Sequence, residues 1–194
     1  MTAVVNSPAD TDSLVAHLIR PDQVHGSLYT DPRIFAEELS KIWFTTWVFV
    51  GHESEVPEPN DYVRKKLATQ DVVMTRDRDG QVHLLLNRCA HRGLQVCDDA
   101  QGNSSSFRCP YHGWSWKLDG SIKEITTEWD FPGVREDAAQ LPAAKVATWG
   151  GFVFINPDPD CEPLEQFLGP VMLEHYRKFR FEDRYKQAHV QRVI

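Results

Sequence analysis

The chain has 194 residues, of which 41% are hydrophobic and 25% are charged, and this length and composition predict one ordinary globular domain with appendages. Its formal net charge of -7 argues against a nucleic-acid-binding protein, which usually carries a basic face. The longest apolar runs, 42–50 and 150–155, are shorter than the roughly 20 residues that span a bilayer, and the N-terminus does not have the pattern of a signal peptide, so we expect a cytoplasmic protein without membrane contact.

Residues 1–44 are predicted to form an N-terminal arm that ends in a helix. Residues 1–30 are polar and irregular, and Asp31 and Pro32 then resemble an N-cap followed by proline at the first helical position. Apolar residues follow at helical spacing, which predicts an amphipathic helix over about 31–43.

Residues 45–156 show short β-rich runs that are separated by turn residues, and this region is predicted to be a separate domain. The tetrapeptides DRDG at 77–80 and LDGS at 118–121 are typical of hairpin turns. Many short strands at this spacing predict a mainly β fold, a small antiparallel sandwich or barrel. The candidate strands are 45–50, 61–67, 71–76, 81–87, 105–108, 114–118, 121–125, 144–148 and 151–155.

The C-terminal region, 157–194, is predicted to contain a helix over 163–179, where apolar residues form a broken stripe. Residues 184–194 are predicted to form a strand. A helix therefore flanks the β domain on each side in the sequence.

A candidate metal site is indicated by two short Cys/His pairs, Cys89 with His91 and Cys109 with His112. Each pair lies where a predicted strand gives way to a loop that contains glycine or proline, and two such loops at neighbouring hairpin tips can hold a metal between them. Zinc sites commonly take two neighbouring cysteines from one knuckle, whereas here each loop supplies one cysteine and one histidine. That arrangement favours a binuclear iron–sulfur cluster, with zinc as the alternative.

At C-A-H-R-G (89–93) and C-P-Y-H-G-W-S-W (109–116) the chain resembles the Rieske [2Fe–2S] family. The resemblance implies that Cys89 and Cys109 ligate the inner iron, and that His91 and His112 ligate the outer iron near the surface. It also places seven residues around the cluster: Arg92, Gly93, Pro110, Tyr111, Gly113, Trp114 and Trp116.

Two features of these loops favour the low-potential branch of the family. High-potential Rieske proteins carry an additional cysteine in each loop, joined by a disulfide, but Leu94 and Tyr111 stand at those positions here. They also carry a serine and a tyrosine that donate hydrogen bonds to the cluster, and Trp114 and Trp116 replace them here. Fewer hydrogen bonds to the sulfurs lower the reduction potential. The two tryptophans are expected to keep water from the cluster.

The order of three further features resembles the large (α) subunit of aromatic-ring-hydroxylating oxygenases over roughly 30–194. These are the N-terminal helix, the pattern W-x-x-x-x-H-x-S-E-x-P from Trp47, and W-G-G-F-V-F-I-N at 149–156. The resemblance implies a relay of electrons from NAD(P)H, through a reductase or ferredoxin, to a mononuclear non-haem Fe(II) that hydroxylates an aromatic substrate with O₂. It also implies a trimer, or a hetero-hexamer with small subunits.

The ligands of that second iron, two histidines and a carboxylate, are not evident in this chain. Beyond the cluster loops only His175 and His189 remain, and they lack the family's spacing to an aspartate. We therefore expect 157–194 to be the start of a truncated catalytic domain, and the chain alone to transfer electrons without a catalytic residue of its own. The alternatives are a self-standing Rieske carrier or a zinc-stabilised binding module.

Several other polar residues have ordinary structural interpretations. Cys97 and Cys161 are expected to be ordinary buried or half-exposed thiols, and His52 a structural hydrogen-bonding residue. Arg92 is either a solvated charge or a contact for an acidic ferredoxin surface.

Overall fold

A computed structural model describes residues 15–134, 136–188 and 190 of the chain. It divides into two units, Met1–Thr46 and Trp47–Ile194. No helix in the described part is long and apolar enough to cross a membrane.

The first unit is more regular than the sequence predicts before residue 31. It contains an antiparallel pair, β1 (Ile19–Arg20) with β2 (Gln23–Val24), and then a single turn of helix, α1 (Ser27–Thr30). The predicted helix is present but divided into α2 (Pro32–Glu38) and a π-helical turn (Leu39–Trp43).

Asp31 caps α2 as predicted. Its carboxylate accepts a hydrogen bond from the Arg33 backbone N–H at 2.9 Å, and Pro32 occupies the first helical position. Hydrogen bonds from the Arg33 side chain and backbone lower the pKa of the Asp31 carboxyl to about 2. The start of this helix is therefore determined by local chemistry.

The second unit is mainly antiparallel β, as predicted. Its strands are β3 (Val48–His52), β4 (Asp61–Leu67), β5 (Gln70–Arg76), β6 (Val82–Leu86), β7 (Gln101–Asn103), β8 (Phe107–Arg108), β9 (Ser115–Trp116), β10 (Ile122–Glu124), β11 (Lys145–Trp149) and β12 (Phe152–Asn156). In the described residues they form three sheets, with the strand orders β6-β5-β4-β7, β10-β9-β8 and β11-β12-β3.

The two predicted hairpin turns are present. In the turn between β5 and β6, the Asp77 N–H donates to the Gln81 carbonyl at 2.9 Å, and Gly80 has a φ of 82°. The turn between β9 and β10 repeats the pattern, with Gly120 at a φ of 85°. Glycine adopts this left-handed conformation without steric cost, which explains the D-G pairs.

The hydrophobic core extends into the region of the candidate metal site. It includes Val73 and Leu85 from the four-stranded sheet and Trp116 from β9, together with Cys89 and Cys109. The Thr75 hydroxyl on β5 donates to the Leu118 carbonyl at 2.7 Å, which ties this sheet to the loop after β9. The two cysteines thus belong to the same packed interior as the sheets.

The C-terminal region differs in part from the prediction. A helix, α3 (Leu164–Tyr176), is present but kinks at Gly169 and Pro170, and short 3₁₀ turns follow at Arg177–Phe179 and Phe181–Asp183. The predicted strand at 184–194 is wrong for 184–188, which pair with no sheet in the described part of the chain. Residues 189 and 191–194 of this predicted strand lie outside the described residues.

Three residues at the end of β3 and just after it, His52, Ser54 and Glu55, form a clamp that holds the segment 181–186. The Ser54 N–H donates to His52 Nδ1 at 3.2 Å, so the imidazole proton is on Nε2, which donates to the Phe181 carbonyl at 3.2 Å. The Ser54 hydroxyl accepts a hydrogen bond from the Lys186 N–H at 2.9 Å. His52 thus makes the structural hydrogen bonds expected for it.

Glu55 is the charged centre of this clamp. Its carboxylate pairs with the ammonium groups of Lys65 and Lys186 and accepts the His52 N–H at 3.0 Å. Burial opposes ionisation, but the hydrogen bonds from Lys186 and Lys65 leave the pKa of Glu55 below its ordinary value. At Lys65, burial lowers the pKa by more than the hydrogen bond to Glu55 raises it, so the pKa of Lys65 is also below its ordinary value.

We expect Glu55→Gln to lower the free energy of unfolding by about 3 kcal/mol at neutral pH, because it leaves the partly buried ammonium group of Lys65, and the more exposed one of Lys186, without a carboxylate partner. The carboxylate stabilises the fold fully above pH 4.5, its ordinary pKa, and this contribution is lost as pH falls through the depressed folded value. Urea unfolding at neutral and acidic pH measures the difference, which should shrink in acid. Glu58→Gln, at an exposed position, is the control, and equal effects of the two changes would contradict the prediction.

Candidate metal centre

The first cluster loop follows β6 and is closed by its own backbone. The Cys89 N–H donates to the Leu94 carbonyl at 2.7 Å, and the Gly93 N–H donates back to the Cys89 carbonyl at 2.9 Å. Gly93 has a φ of 76°, and a Cβ there would lie 3.1 Å from Arg88 Nε. The loop therefore requires glycine at this position.

The second cluster loop, between β8 and β9, is closed by the same pair of backbone hydrogen bonds. The Cys109 N–H donates to the Trp114 carbonyl at 2.8 Å, and the Gly113 N–H donates to the Cys109 carbonyl at 3.0 Å. Gly113 has a φ of 77°, and a Cβ there would lie 2.7 Å from the Thr126 hydroxyl. The same turn thus presents a cysteine at its start in both loops, although the histidine lies one residue later in the second.

The two loops bring the four predicted ligands together. Cys89 and Cys109 are 4% and 2% exposed, and the Cys109 thiol is near enough to raise the pKa of the Cys89 thiol. The ring centroids of His91 and His112 are 4.7 Å apart. Both histidines are half-buried, so the thiols lie inward and the imidazoles lie nearer the surface.

The electrostatics of these side chains suit metal binding. Burial, followed by the neighbouring Cys109, raises the pKa of the Cys89 thiol, although hydrogen bonds from the Arg92 and His91 N–H groups oppose this. A bound cation would reverse the balance by stabilising the thiolate. Burial, His112 and Arg92 lower the pKa of His91, which favours the neutral imidazole that ligates metals.

His91 Nδ1 gives a direct test of whether a metal group fits. This atom is buried and has no hydrogen-bond partner among the described residues. An unsatisfied buried polar atom costs about 1–3 kcal/mol, and coordination to a metal would satisfy it. The residues present therefore fit a metal group between the loops.

Within the described ranges, no group of three or more His, Cys, Asp or Glu side chains forms a site for a single metal ion. A mononuclear zinc site needs four ligands around one point, whereas a Rieske cluster distributes two cysteines and two histidines over two irons.

The two tryptophans of the second motif, Trp114 in the loop and Trp116 in β9, are buried but make different contacts. Trp114 stacks on His91 with ring centroids 4.9 Å apart and planes 13° apart. Trp116 is fully buried, and its indole N–H donates to the Ala139 carbonyl at 2.7 Å. Trp114 thus covers a predicted ligand directly, while Trp116 fills the core.

The other residues predicted around the site lie at the exposed tips of the loops. The Tyr111 ring lies 3.7 Å from that of His112, centroid to centroid, and 58% of the Tyr111 residue is exposed. The Arg92 guanidinium lies 5.7 Å from the centre of the Tyr111 ring. Pro110 is exposed beside them.

Phe131 is a site residue that sequence reasoning missed. Its ring meets the edges of His91 and Trp114, each at a centroid distance of 5.3 Å. It lies after a 3₁₀ turn (Glu128–Asp130) in a segment without strand periodicity, so no local signal identifies it.

Within the described ranges, Cys97, Cys161 and His175 do not form a second group of this kind. Burial raises the pKa of the Cys97 thiol to about 11, and Cys161 is half-buried, as expected of ordinary thiols. His175 is exposed on α3 and packs against Tyr176. His189 lies outside the described residues.

Comparison with known proteins agrees with this geometry. The Rieske [2Fe-2S] domain family matches residues 46–135. The chain is 32% identical, over 165 residues, to biphenyl 2,3-dioxygenase subunit alpha of Rhodococcus jostii (strain RHA1), a match that covers 84% of this chain and 36% of the relative. It is 35% identical to the large oxygenase component of salicylate 5-hydroxylase from Ralstonia sp, covering 76% and 38% of the two chains.

Solved structures show the same relationship. Naphthalene 1,2-dioxygenase from Rhodococcus sp. matches with a TM-score of 0.76 and 32% identity, over 88% of this chain and 40% of that one. A quaternary ammonium Rieske monooxygenase matches with a TM-score of 0.72 and 31% identity, over 78% and 42%. The chain spans less than half the length of these relatives. It carries a Rieske [2Fe–2S] domain, which implies the cluster, and is related to the alpha subunits of aromatic ring-hydroxylating dioxygenases.

Proposed function

We propose that this chain is the electron-transfer portion of a Rieske non-haem iron oxygenase. In this proposal Cys89 and Cys109 bind one iron of the [2Fe–2S] cluster, and His91 and His112 bind the other. The supporting observation is the pair of matching loops, each of which presents one cysteine and one histidine, with the cysteines buried and the imidazole centroids 4.7 Å apart.

The residues around the cluster would leave one side of it open to an electron donor and cover the other side. When bound, the cluster supplies one-electron transfer. The thiols lie in the packed core and Trp114 covers His91, so solvent is excluded from that side. The side of His112 lies under the exposed Tyr111 and near Arg92, and we propose this edge as the one that faces a ferredoxin or reductase.

The parent enzyme in this proposal passes electrons from NAD(P)H to a mononuclear non-haem Fe(II), held by two histidines and a carboxylate beyond these residues. The relatives are named alpha subunits or large oxygenase components, which supports a trimer, or a hetero-hexamer with small subunits. Residues 45–156 would form the Rieske domain, preceded by the arm and helix of 1–44. Residues 157–194 would begin the catalytic domain.

We propose an aromatic substrate for that enzyme. The first curated relatives are named for aromatic compounds, among them biphenyl, salicylate and chlorobenzene. The quaternary ammonium monooxygenase shows that the same Rieske domain also occurs beside a different substrate class.

The purified, cluster-loaded chain is expected to accept electrons from NADH through a ferredoxin–reductase system, but to form no product from aromatic acids or hydrocarbons. The physical reason is that each Rieske iron already has four ligands, so neither offers an open position for O₂. Absorbance bleaching measures reduction, and mass spectrometry measures diols or phenols. Any product would mean that a second iron site lies within these residues, and a failure to be reduced would contradict electron transfer.

Adding a separate Rieske oxygenase component to the reduced chain distinguishes the proposal from a self-standing electron carrier. The oxygenase component is supplied without its own ferredoxin, so its turnover would show that this chain delivers electrons to it as a carrier. We expect no such turnover.

A further inference from the structure

The two histidines of the centre have different surroundings. His91 stacks on Trp114, and both rings meet the edge of Phe131, so the three rings are in mutual contact. His112 is packed against the other imidazole and an exposed tyrosine only, within the described aromatic contacts. One imidazole is therefore enclosed and the other is not.

The two rings that enclose His91 are held by independent parts of the chain. Trp114 is 3% exposed, and its carbonyl accepts the Cys109 N–H at 2.8 Å, so it is fixed to the second cluster loop. The Phe131 N–H donates to the Glu128 carbonyl at 2.9 Å, and the Phe131 carbonyl accepts the Val134 N–H at 3.0 Å. The backbone of Phe131 thus lies between two consecutive turns.

Ring packing is the restraint that the structure shows on the orientation of His91. Metal-bound histidines usually also donate their second ring nitrogen to a carboxylate or carbonyl, and such a bond helps to set the plane of the ring. Among the residues that the structure describes, the buried His91 Nδ1 has no hydrogen-bond partner, so no hydrogen bond at this atom orients the imidazole.

We infer that Trp114 and Phe131 together orient the His91 imidazole, and that Phe131 is a positioning residue for the metal centre outside both cluster-binding motifs. Stacking fixes the plane of the imidazole, and the edge of Phe131 blocks rotation out of that plane. Phe131 also lines a cavity of about 300 Å³ beside His91, together with Ala90 and Val134, so its ring limits the space into which the imidazole can turn. The inference rests on the proposed role of His91 as a ligand.

The test compares Phe131→Ala and Phe131→Leu with the wild type, each loaded with its cluster. Leucine keeps most of the apolar volume, so it preserves the fold, but it removes the ring edge. Both variants should bind the cluster, show a broadened EPR spectrum when reduced, and lose iron to a chelator about tenfold faster, as is typical when a residue that supports a ligand is changed. Phe131→Tyr restores the ring and should restore the wild-type spectrum.

Trp129→Ala is the matched control, because Trp129 is 78% exposed in the 3₁₀ turn that precedes Phe131, and its replacement should leave the EPR spectrum and iron release unchanged. Variants of Phe131 with a wild-type spectrum and wild-type iron release would overturn the inference, even if their thermal stability fell. Failure of the proposed function gives a different result. In that case the wild-type protein would bind no iron–sulfur cluster, or His91→Ala would keep the wild-type EPR spectrum, which would show that His91 is not an iron ligand.

Discussion

Replacement of Cys109 by alanine is expected to abolish the [2Fe–2S] centre completely. Cys109 is 2% exposed and begins the second loop, so its removal would leave one iron with a single protein thiolate and a buried void beside it. The purified variant should be colourless, whereas the wild type should be red-brown. Iron and acid-labile sulfide analysis measures the loss, and Cys89→Ala should behave in the same way.

Two other cysteines provide controls. Cys97 is buried like the proposed ligands, and Cys161 is half-buried, but neither lies in a cluster loop. Cys97→Ala and Cys161→Ala should therefore retain full iron and sulfide. A Cys109→Ala protein that kept its cluster, or a wild type that contained stoichiometric zinc, would refute the ligand assignment.

Simultaneous replacement of His91 and His112 by cysteine is expected to keep a cluster but lower its reduction potential by about 250 mV. The wild type should lie near -150 mV, at the low end of the Rieske range, and an all-cysteine cluster of the plant type lies near -400 mV. Two thiolates add negative charge, which disfavours the reduced state, and thiolate can replace imidazole on iron. For a one-electron couple this shift is a change of about 10⁴ in the equilibrium constant.

One structural observation supports the low potential that we expect of the wild type. The indole N–H of Trp116 is used by the Ala139 carbonyl, so it is not free to donate to a cluster sulfur. Protein-film voltammetry measures both potentials, and EPR of the reduced proteins distinguishes mixed from all-cysteine ligation. His175→Cys, at an exposed position on α3, is the control. A wild-type potential above roughly +100 mV would contradict the expected baseline.

Features that depend on local chemistry were predictable from the sequence. Asp31 with Pro32 predicts the start of α2, and each D-G pair predicts a hairpin turn because glycine alone enters its left-handed position without steric cost. Strand β4 has its predicted bounds, 61–67, and β5 begins one residue earlier than predicted. The C-x-H and C-x-x-H pairs indicated the metal site because each lies within a single loop.

Features that depend on pairing between distant segments were not predictable. The strand β7 consists of Gln101, Gly102 and Asn103, which have little strand propensity, and it forms because β4 offers an unpaired edge to its backbone. The predicted strand at 184–194 failed over 184–188, where the backbone is held instead by the clamp after β3, as in the Lys186 N–H to Ser54 hydrogen bond.

Some features of the candidate site likewise follow from local sequence, and others depend on tertiary packing. The sequence by itself determined which cysteines and histidines belong together and which glycines close their loops, because short-range backbone geometry demands those residue types. Only the tertiary structure decided that Phe131 packs on His91, and that one imidazole is enclosed while the other is not. Packing between segments that are distant in sequence depends on the shape of the folded core, and a single aromatic residue in an irregular segment shows no periodicity from which its neighbours can be inferred.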